Sequence, residues 1–336
     1  MLAALSVPSW LSRRRTLRAA AAFLVVLGLL LWWLLPFGTS SPHGSVTFST
    51  GVTSGVYQRY GTLLKNELAR DLPDVSVALQ TSEGSQQNIS RVAIGEADVT
   101  IATADAVAEY QKNGGTGADR LRGCARLYDD YVQLIVPKDS EIHSIRDLRG
   151  KRVGVGQQGS GVRLIADRLL KAVGLDSSRS VSAAPVGIDT APGLIEHGQL
   201  DAFFWSGGLP TLAVEQLSER FDIRLVPLEA SLVTELHATG DRASTFYRSA
   251  ELPADAYPRA QNGAAIATVA VSNLLVTTDR MDPSMTEALT RAVIDSRDRI
   301  GHEVHPAQLV DLRTAIYTDP LPLHEGAKRY YRSVKP

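Results

Sequence analysis

The chain has 336 residues, of which 44% are hydrophobic and 21% charged. That composition excludes a disordered chain, and the length suits two lobes of 100–150 residues. The net charge of −1 points to no nucleic-acid partner, and the single cysteine, Cys124, excludes a disulfide framework or a multi-cysteine metal site.

The charge is unevenly spread. Residues 1–18 hold Arg13, Arg14, Arg15 and Arg18 and no acid, and residues 19–35 carry no charge at all. Taking those four from 35 Lys and Arg leaves 31 against 36 acids, so the remainder is net negative. Seventeen helical residues reach about 25 Å, near the lower limit for crossing a bilayer. The basic flank is expected in the cytoplasm, with Trp32 and Trp33 at the far interface. A cleaved export signal is the alternative. The long apolar core and the lack of an A-x-A-like site favour a retained anchor. Both readings put the C-terminal part outside the cytoplasm, either as a single-pass cell-membrane protein or as an exported one. Residues 36–45 read as a Pro/Gly/Ser linker.

From Val46 onward, short β-rich runs alternate with helical ones. Strands are expected at Val46–Ser49, Val75–Leu79 and Val99–Ala102, and helices at Tyr57–Arg70, Gln86–Ile94 and Ala104–Gln111. Leu121–Leu127 and Tyr131–Val136 read as two further strands. A second set follows, with strands Arg152–Val155, Val181–Pro185, Ala202–Trp205 and Ile223–Val226 and helices Val162–Val173, Pro192–His197 and Leu209–Glu219. After a mixed stretch come a long strand, Ala264–Thr277, and a helix, Pro283–Ile300. This alternation predicts an α/β protein with two doubly wound lobes of parallel sheet around a cleft, their domains discontinuous.

Gly, Ser and Thr cluster just after the strands: Ser49–Tyr57, Gln80–Asn88, Ala102–Asp105, Gly156–Gly161 and Ser206–Pro210. Open α/β sheets bind ligands at the carboxyl ends of their strands. Each loop also opens a helix, whose free amides and dipole suit an anion. Any one loop is ordinary turn and cap chemistry, but five at matching strand ends point to a site. Gly154-Val155-Gly156-Gln157-Gln158-Gly159 is a literal G-x-G-x-x-G, yet the acid expected at the next strand end is missing. No nucleophile elbow and no H-E-x-x-H occurs, and His302-Glu303-Val304-His305 lacks a third ligand. Asn88-Ile89-Ser90 fits the glycosylation pattern but opens a helix. The residues therefore predict no enzyme, no cofactor and no metal.

Several stretches carry a family resemblance: STGVTSGVYQRYG (49–61), VALQTSEGSQQNISRVAIGEADVTIATAD (77–105), YDDYVQLIVPKDSEIHSIRDLRGKRVGVGQQGSG (128–161), HGQLDAFFWSGGLPTLAVEQLS (197–218) and LPLHEGAKRYYR (321–332). From about Val46 to Arg332 the chain resembles the TAXI-type solute receptors of TRAP transporters. The resemblance implies a periplasmic-binding-protein-like fold. It also implies closure of two lobes around a small carboxylate, a glutamate-like amino acid or a 2-oxo acid, and delivery to a membrane permease. It places lobe I at 46–129 plus 279–336 and lobe II at 130–278. With the strand-end loops, it assigns Thr50, Gly51, Thr53, Gly55, Tyr57, Ser85 and Asn88 to one half of the site, with Thr103 and Asp105 beside them. Ser160 and Gly161 form the other half's anion site, and Trp205, Gly207 and Gly208 its wall. Asp105 either receives an amino group or caps its helix. The rival readings are an extracytoplasmic α/β enzyme holding a nucleotide on the Gly154–Gly159 loop, and a sensor for a membrane partner.

Overall fold

The computed structural model describes residues 18, 20–27 and 42–334. Met1–Ser41 forms one unit and Pro42–Pro336 another. In the first, residues 20–27 are helical and Phe23, Leu24, Val25, Val26 and Leu27 are exposed. Most of the expected span 19–35 and linker 36–45 lies outside the described residues. Among the described residues no helix is long and apolar enough to cross a membrane.

The second unit begins with β1 (Gly44–Ser49), α1 (Val56–Asp71), β2 (Val75–Gln80), α2 (Ser85–Ile94), β3 (Val99–Thr103), α3 (Ala104–Lys112) and β4 (Leu121–Pro137). It continues with β5 (Arg152–Gly154), α4 (Gly161–Ala172), β6 (Ser182–Ala184), α5 (Ala191–Glu196), β7 (Ala202–Gly207), α6 (Leu212–Arg220) and β8 (Ile223–Val226). The mixed stretch resolves into α7 (Ala230–Ala238), β9 (Tyr247–Leu252) and α8 (Pro258–Gln261). β10 (Ile266–Thr278), α9 (Pro283–Asp295), α10 (Arg297–Gly301) and α11 (Glu325–Val334) complete it. Local patterning explains most of these elements. In α1, buried Tyr60, Leu64 and Leu68 recur every fourth residue and make one apolar face. β3 is buried throughout, as befits a strand covered on both sides.

Two separate parallel sheets were expected; the strands instead form one mixed sheet ordered β2-β1-β3-β10-β4-β7-β5-β6, with β8 on β4 and β9 on β10. The parallel pairs are β1 with β2 and β3, and β5 with β6 and β7. Two long antiparallel strands, β4 and β10, join these halves. The expected pair of strands, Leu121–Leu127 and Tyr131–Val136, is one 17-residue strand. Its acidic middle reads as a break, but both acids find partners inside the sheet. Asp129 accepts from Arg126 (3.0 Å) and Arg248 (2.8 Å), and Asp130 accepts from Asn273 (2.7 Å). The expected helix Pro283–Ile300 divides at Ser296, whose hydroxyl donates back to the Ala292 carbonyl (2.5 Å) and competes with the helical ladder.

The buried apolar residues form two large cores and a smaller third one, Ile89 to Leu321, under α2 and α3. Of the large ones, one runs from Val132 to Val271; the other joins residues between Val46 and Tyr128 to residues between Leu275 and Tyr331. β4 and β10 each serve both cores.

Candidate functional site

Three strand-to-helix turns converge between the two cores. α1 starts after Gly55, α2 after Gly84 and α4 after Ser160. Gly55 and Gly84 bring no capping side chain, so the first amides of α1 and α2 depend on other acceptors. Ser160 is a filled cap: its hydroxyl accepts from the Arg163 amide (3.1 Å) and donates to the Gln157 carbonyl (2.7 Å). Helix N-termini carry about half a positive charge each and suit an anion.

These turns enclose a cavity of about 50 Å³, room for roughly three to five waters. Nine of the residues assigned from sequence line it: Gly51, Gly55, Tyr57, Ser85 and Thr103 from one core's side, Ser160, Gly161, Trp205 and Gly207 from the other's. Glu83, Asp130, Gln157 and Ser206 add polar groups, and Val52, Val56, Val162 and Ile165 add apolar walls. Thr103 Oγ1 and Ser206 Oγ are buried with no hydrogen-bond partner among the described residues. A buried hydroxyl left in that state costs about 1–3 kcal/mol, which a bound group would relieve. Trp205 presents its ring only, because its indole N–H donates to Thr211 Oγ1 (2.9 Å).

The cleft is shut. A Cβ on Gly161 would stand 3.0 Å from Ser85 Oγ, across the gap. The Gln87 amide donates to the Gly159 carbonyl (3.0 Å), and Gln86 Nε2 donates to the Ser160 carbonyl (2.6 Å). Gly156, with φ at +83°, turns the α4 loop where any Cβ would lie 2.8 Å from the Arg163 amide nitrogen.

The other five assigned residues stand off the cavity. Thr50 donates to the Gln80 carbonyl (3.1 Å) and bonds Gln58. Asn88 is fully buried; it donates to the Thr50 (2.6 Å) and Ile101 (3.0 Å) carbonyls and accepts from Ser49 (2.7 Å). Those two residues hold the β1 and β3 turns, and Asn88 is too enclosed to carry a glycan. Thr53 is exposed on the first loop. Gly208 packs on Pro306, whose Cγ would be 2.2 Å from an added Cβ. Asp105 faces the neighbouring contact between the cores. There its Oδ2 accepts from Tyr247 (2.6 Å) and Arg168 (3.3 Å), and Arg168 also pairs with Glu109 (2.5 Å) and Asp241 (3.3 Å).

Asp130 is the charged residue that sequence reasoning missed. It is 4% exposed and lines the cavity from the middle of β4. Burial pushes its carboxyl up to about 7, helped by the Asp129 and Asp105 charges, while the hydrogen bond from Asn273 pulls it down. Tyr57 donates to Asn273 Oδ1 (2.5 Å), and burial next to Asp130 raises its own pKa well above the usual value. The only sequence signal for Asp130 was an acidic pair inside an otherwise apolar stretch.

Comparison with known proteins places this arrangement. Residues 48–334 match the NMT1-like family, and the chain belongs to it. Its structure is similar to an ancestral arginine-binding protein bound to arginine, with 15% identity, 78% of this chain and 98% of that one covered, and a TM-score of 0.51. A protein from Bordetella bronchiseptica RB50 gives 19% identity, 87% and 90% coverage, and a TM-score of 0.51. The periplasmic aliphatic sulphonate binding protein SsuA from Escherichia coli gives 13%, 88% and 84%, and 0.49. At these identities the likeness establishes the fold alone, an α/β fold shared with the arginine-binding protein.

Proposed function

We propose that this NMT1-like protein is an extracytoplasmic receptor that captures a small carboxylate by closing two lobes over it. The lobes are 46–129 with 279–336, and 130–278, and the loaded receptor delivers its ligand to a TRAP-type membrane permease, as TAXI receptors do. The basic residues 13–18 ahead of the apolar run 19–35 support an N-terminal anchor with the rest of the chain outside.

One observation carries the reading: helix N-termini from both sides of the cleft meet at one small cavity that also holds two unpartnered, buried hydroxyls. A carboxylate entering there accepts charge-assisted hydrogen bonds worth roughly 1.5–3 kcal/mol each. Its contacts with both lobes exist only in the closed form, and that differential affinity shifts the population towards closure. The G-x-G-x-x-G loop takes part through the Gly156 turn and the close approach of Gly161, and the acid that a dinucleotide cradle needs at the next strand end is missing.

The test is titration of the full chain with small carboxylates while Trp205 emission and small-angle scattering are followed. Saturating ligand is expected to shift the emission and reduce the radius of gyration. Trp205→Phe should remove most of the optical signal, which leaves Trp10, Trp32 and Trp33 as background. No change in either observable for any carboxylate overturns the reading.

A further inference from the structure

The cavity's charge is the opposite of what a simple anion site would carry. Among the residues lining it none is Lys, Arg or His, and the charged ones are Glu83, exposed at the rim, and Asp130, buried inside. A purely anionic ligand would meet a buried carboxylate with no basic side chain to offset it. Asn273 Nδ2 occupies Asp130 Oδ1 at 2.7 Å, and the Tyr57 hydroxyl sits alongside. Both neighbours are neutral, so the Asp130 charge has no cation in direct contact. Arg126 is engaged with Asp129, and Arg168 with Asp105, Glu109 and Asp241.

Resting on the carboxylate-receptor reading, we infer that Asp130 accepts the ammonium group of a compact α-amino carboxylate and so selects amino acids over 2-oxo acids. The ligand's carboxylate lies at the helix N-termini and its ammonium at Asp130, so each ligand charge faces its complement. An ammonium supplies both the missing positive charge and N–H donors to the carboxylate. A 2-oxo group supplies an acceptor where an acceptor already stands, and sites built around a substrate N–H strongly reject the analogue lacking it.

One rival keeps the same geometry: a protonated Asp130 donating to the oxo oxygen. The two differ in their response to pH. The titratable groups facing Asp130 are Tyr57 from α1, Tyr128 and Asp129 from its own strand, and Asp105 from α3, with Glu83 at the rim. Tyr57 and Tyr128 are held protonated by burial, which leaves Asp130 to titrate near neutrality.

The experiment is calorimetry of the full chain with L-alanine and pyruvate, which share a carboxylate and differ in amine against oxo, at about pH 6 and about pH 8. Alanine is expected to bind at least tenfold tighter than pyruvate, and tighter at the higher pH as Asp130 ionises. Asp130→Asn should reduce alanine affinity at least tenfold and leave pyruvate unaffected or improved. Equal or tighter binding of pyruvate, or affinity for alanine that falls with rising pH, overturns the assignment but leaves the receptor standing. The wild-type comparison holds whether or not the variant folds. If alanine, glycine, glutamate and pyruvate all fail to bind, the receptor reading itself is overturned, and the role of Asp130 with it.

Discussion

The contacts at the two ends of α4 contrast. Beyond its first turn, Arg168 is 10% exposed and surrounded by Asp105, Glu109, Asp241 and the Tyr247 hydroxyl. Burial opposes its charge, but Tyr247, Asp105 and Glu109 outweigh that, and its pKa is raised. At the N-terminus of the same helix, the cavity leaves Thr103 Oγ1 and Ser206 Oγ unpartnered and holds Asp130 without a cation. At the first contact the charges are paired within the protein, although Asp105 Oδ1 has no partner among the described residues; at the second, Asp130 has no cation.

The largest expected effect comes from breaking the paired side. Arg168→Met strands Asp105, which is 0% exposed and has one oxygen unpartnered already. Removing one partner of a buried ion pair costs about 3–5 kcal/mol, measurable by urea unfolding. The ligand-free radius of gyration should rise as well; an unchanged value would mean that Arg168 does not hold the lobes together.

The cavity side should respond in the opposite direction. Asp130 titrates near 7 in the fold, above its unfolded value, so the folded state retains a proton that the unfolded chain has released. Stability then falls as pH rises from about 4 to about 7 and is flat above. Asp130→Asn is expected to remove that slope and gain roughly 2–4 kcal/mol at pH 8, while amino-acid affinity is lost. A variant less stable than wild type at pH 8 would show that the charge is paired after all.

Two smaller changes sharpen the contrast. Ser160→Asp keeps a helix cap but loses the bond to the Gln157 carbonyl and adds a negative charge at the cavity, so carboxylate affinity of the folded protein should fall at least tenfold, about 1.4 kcal/mol, as read by calorimetry. Thr103→Val removes an unpartnered hydroxyl at constant shape. It should stabilise the empty protein by about 1 kcal/mol and weaken ligand binding, as read by paired unfolding and calorimetry. A Thr103→Val protein that loses stability would place a hidden partner on that hydroxyl.

What the sequence determined by itself was local. A short apolar run, then Gly, Ser or Thr, then a helical period suffices to place a strand, its turn and the helix N-terminus. Ser160, Gly161, Ser85 and Gly55 were legible for that reason, because their setting is built within a few residues of themselves. The α/β class was legible in the alternation of such units, but the single mixed sheet was not. What tertiary structure decided was how polar side chains are spent. Asn88 and Thr50 sit in the same loops, but backbone carbonyls of neighbouring strands consume their donors. Asp105 looked like a ligand group until Arg168 and Tyr247, 63 and 142 residues away, came to face it. Asp130 looked like part of a strand break until Asn273, 143 residues on, joined it in an antiparallel sheet and left its charge beside the cavity. Local pattern sets backbone conformation because it acts through nearest-neighbour dihedrals and burial period. Whether a carboxylate is a latch, a strand partner or a receptor depends on which distant group supplies the opposing proton or charge, and only the packed sheet brings that group into reach.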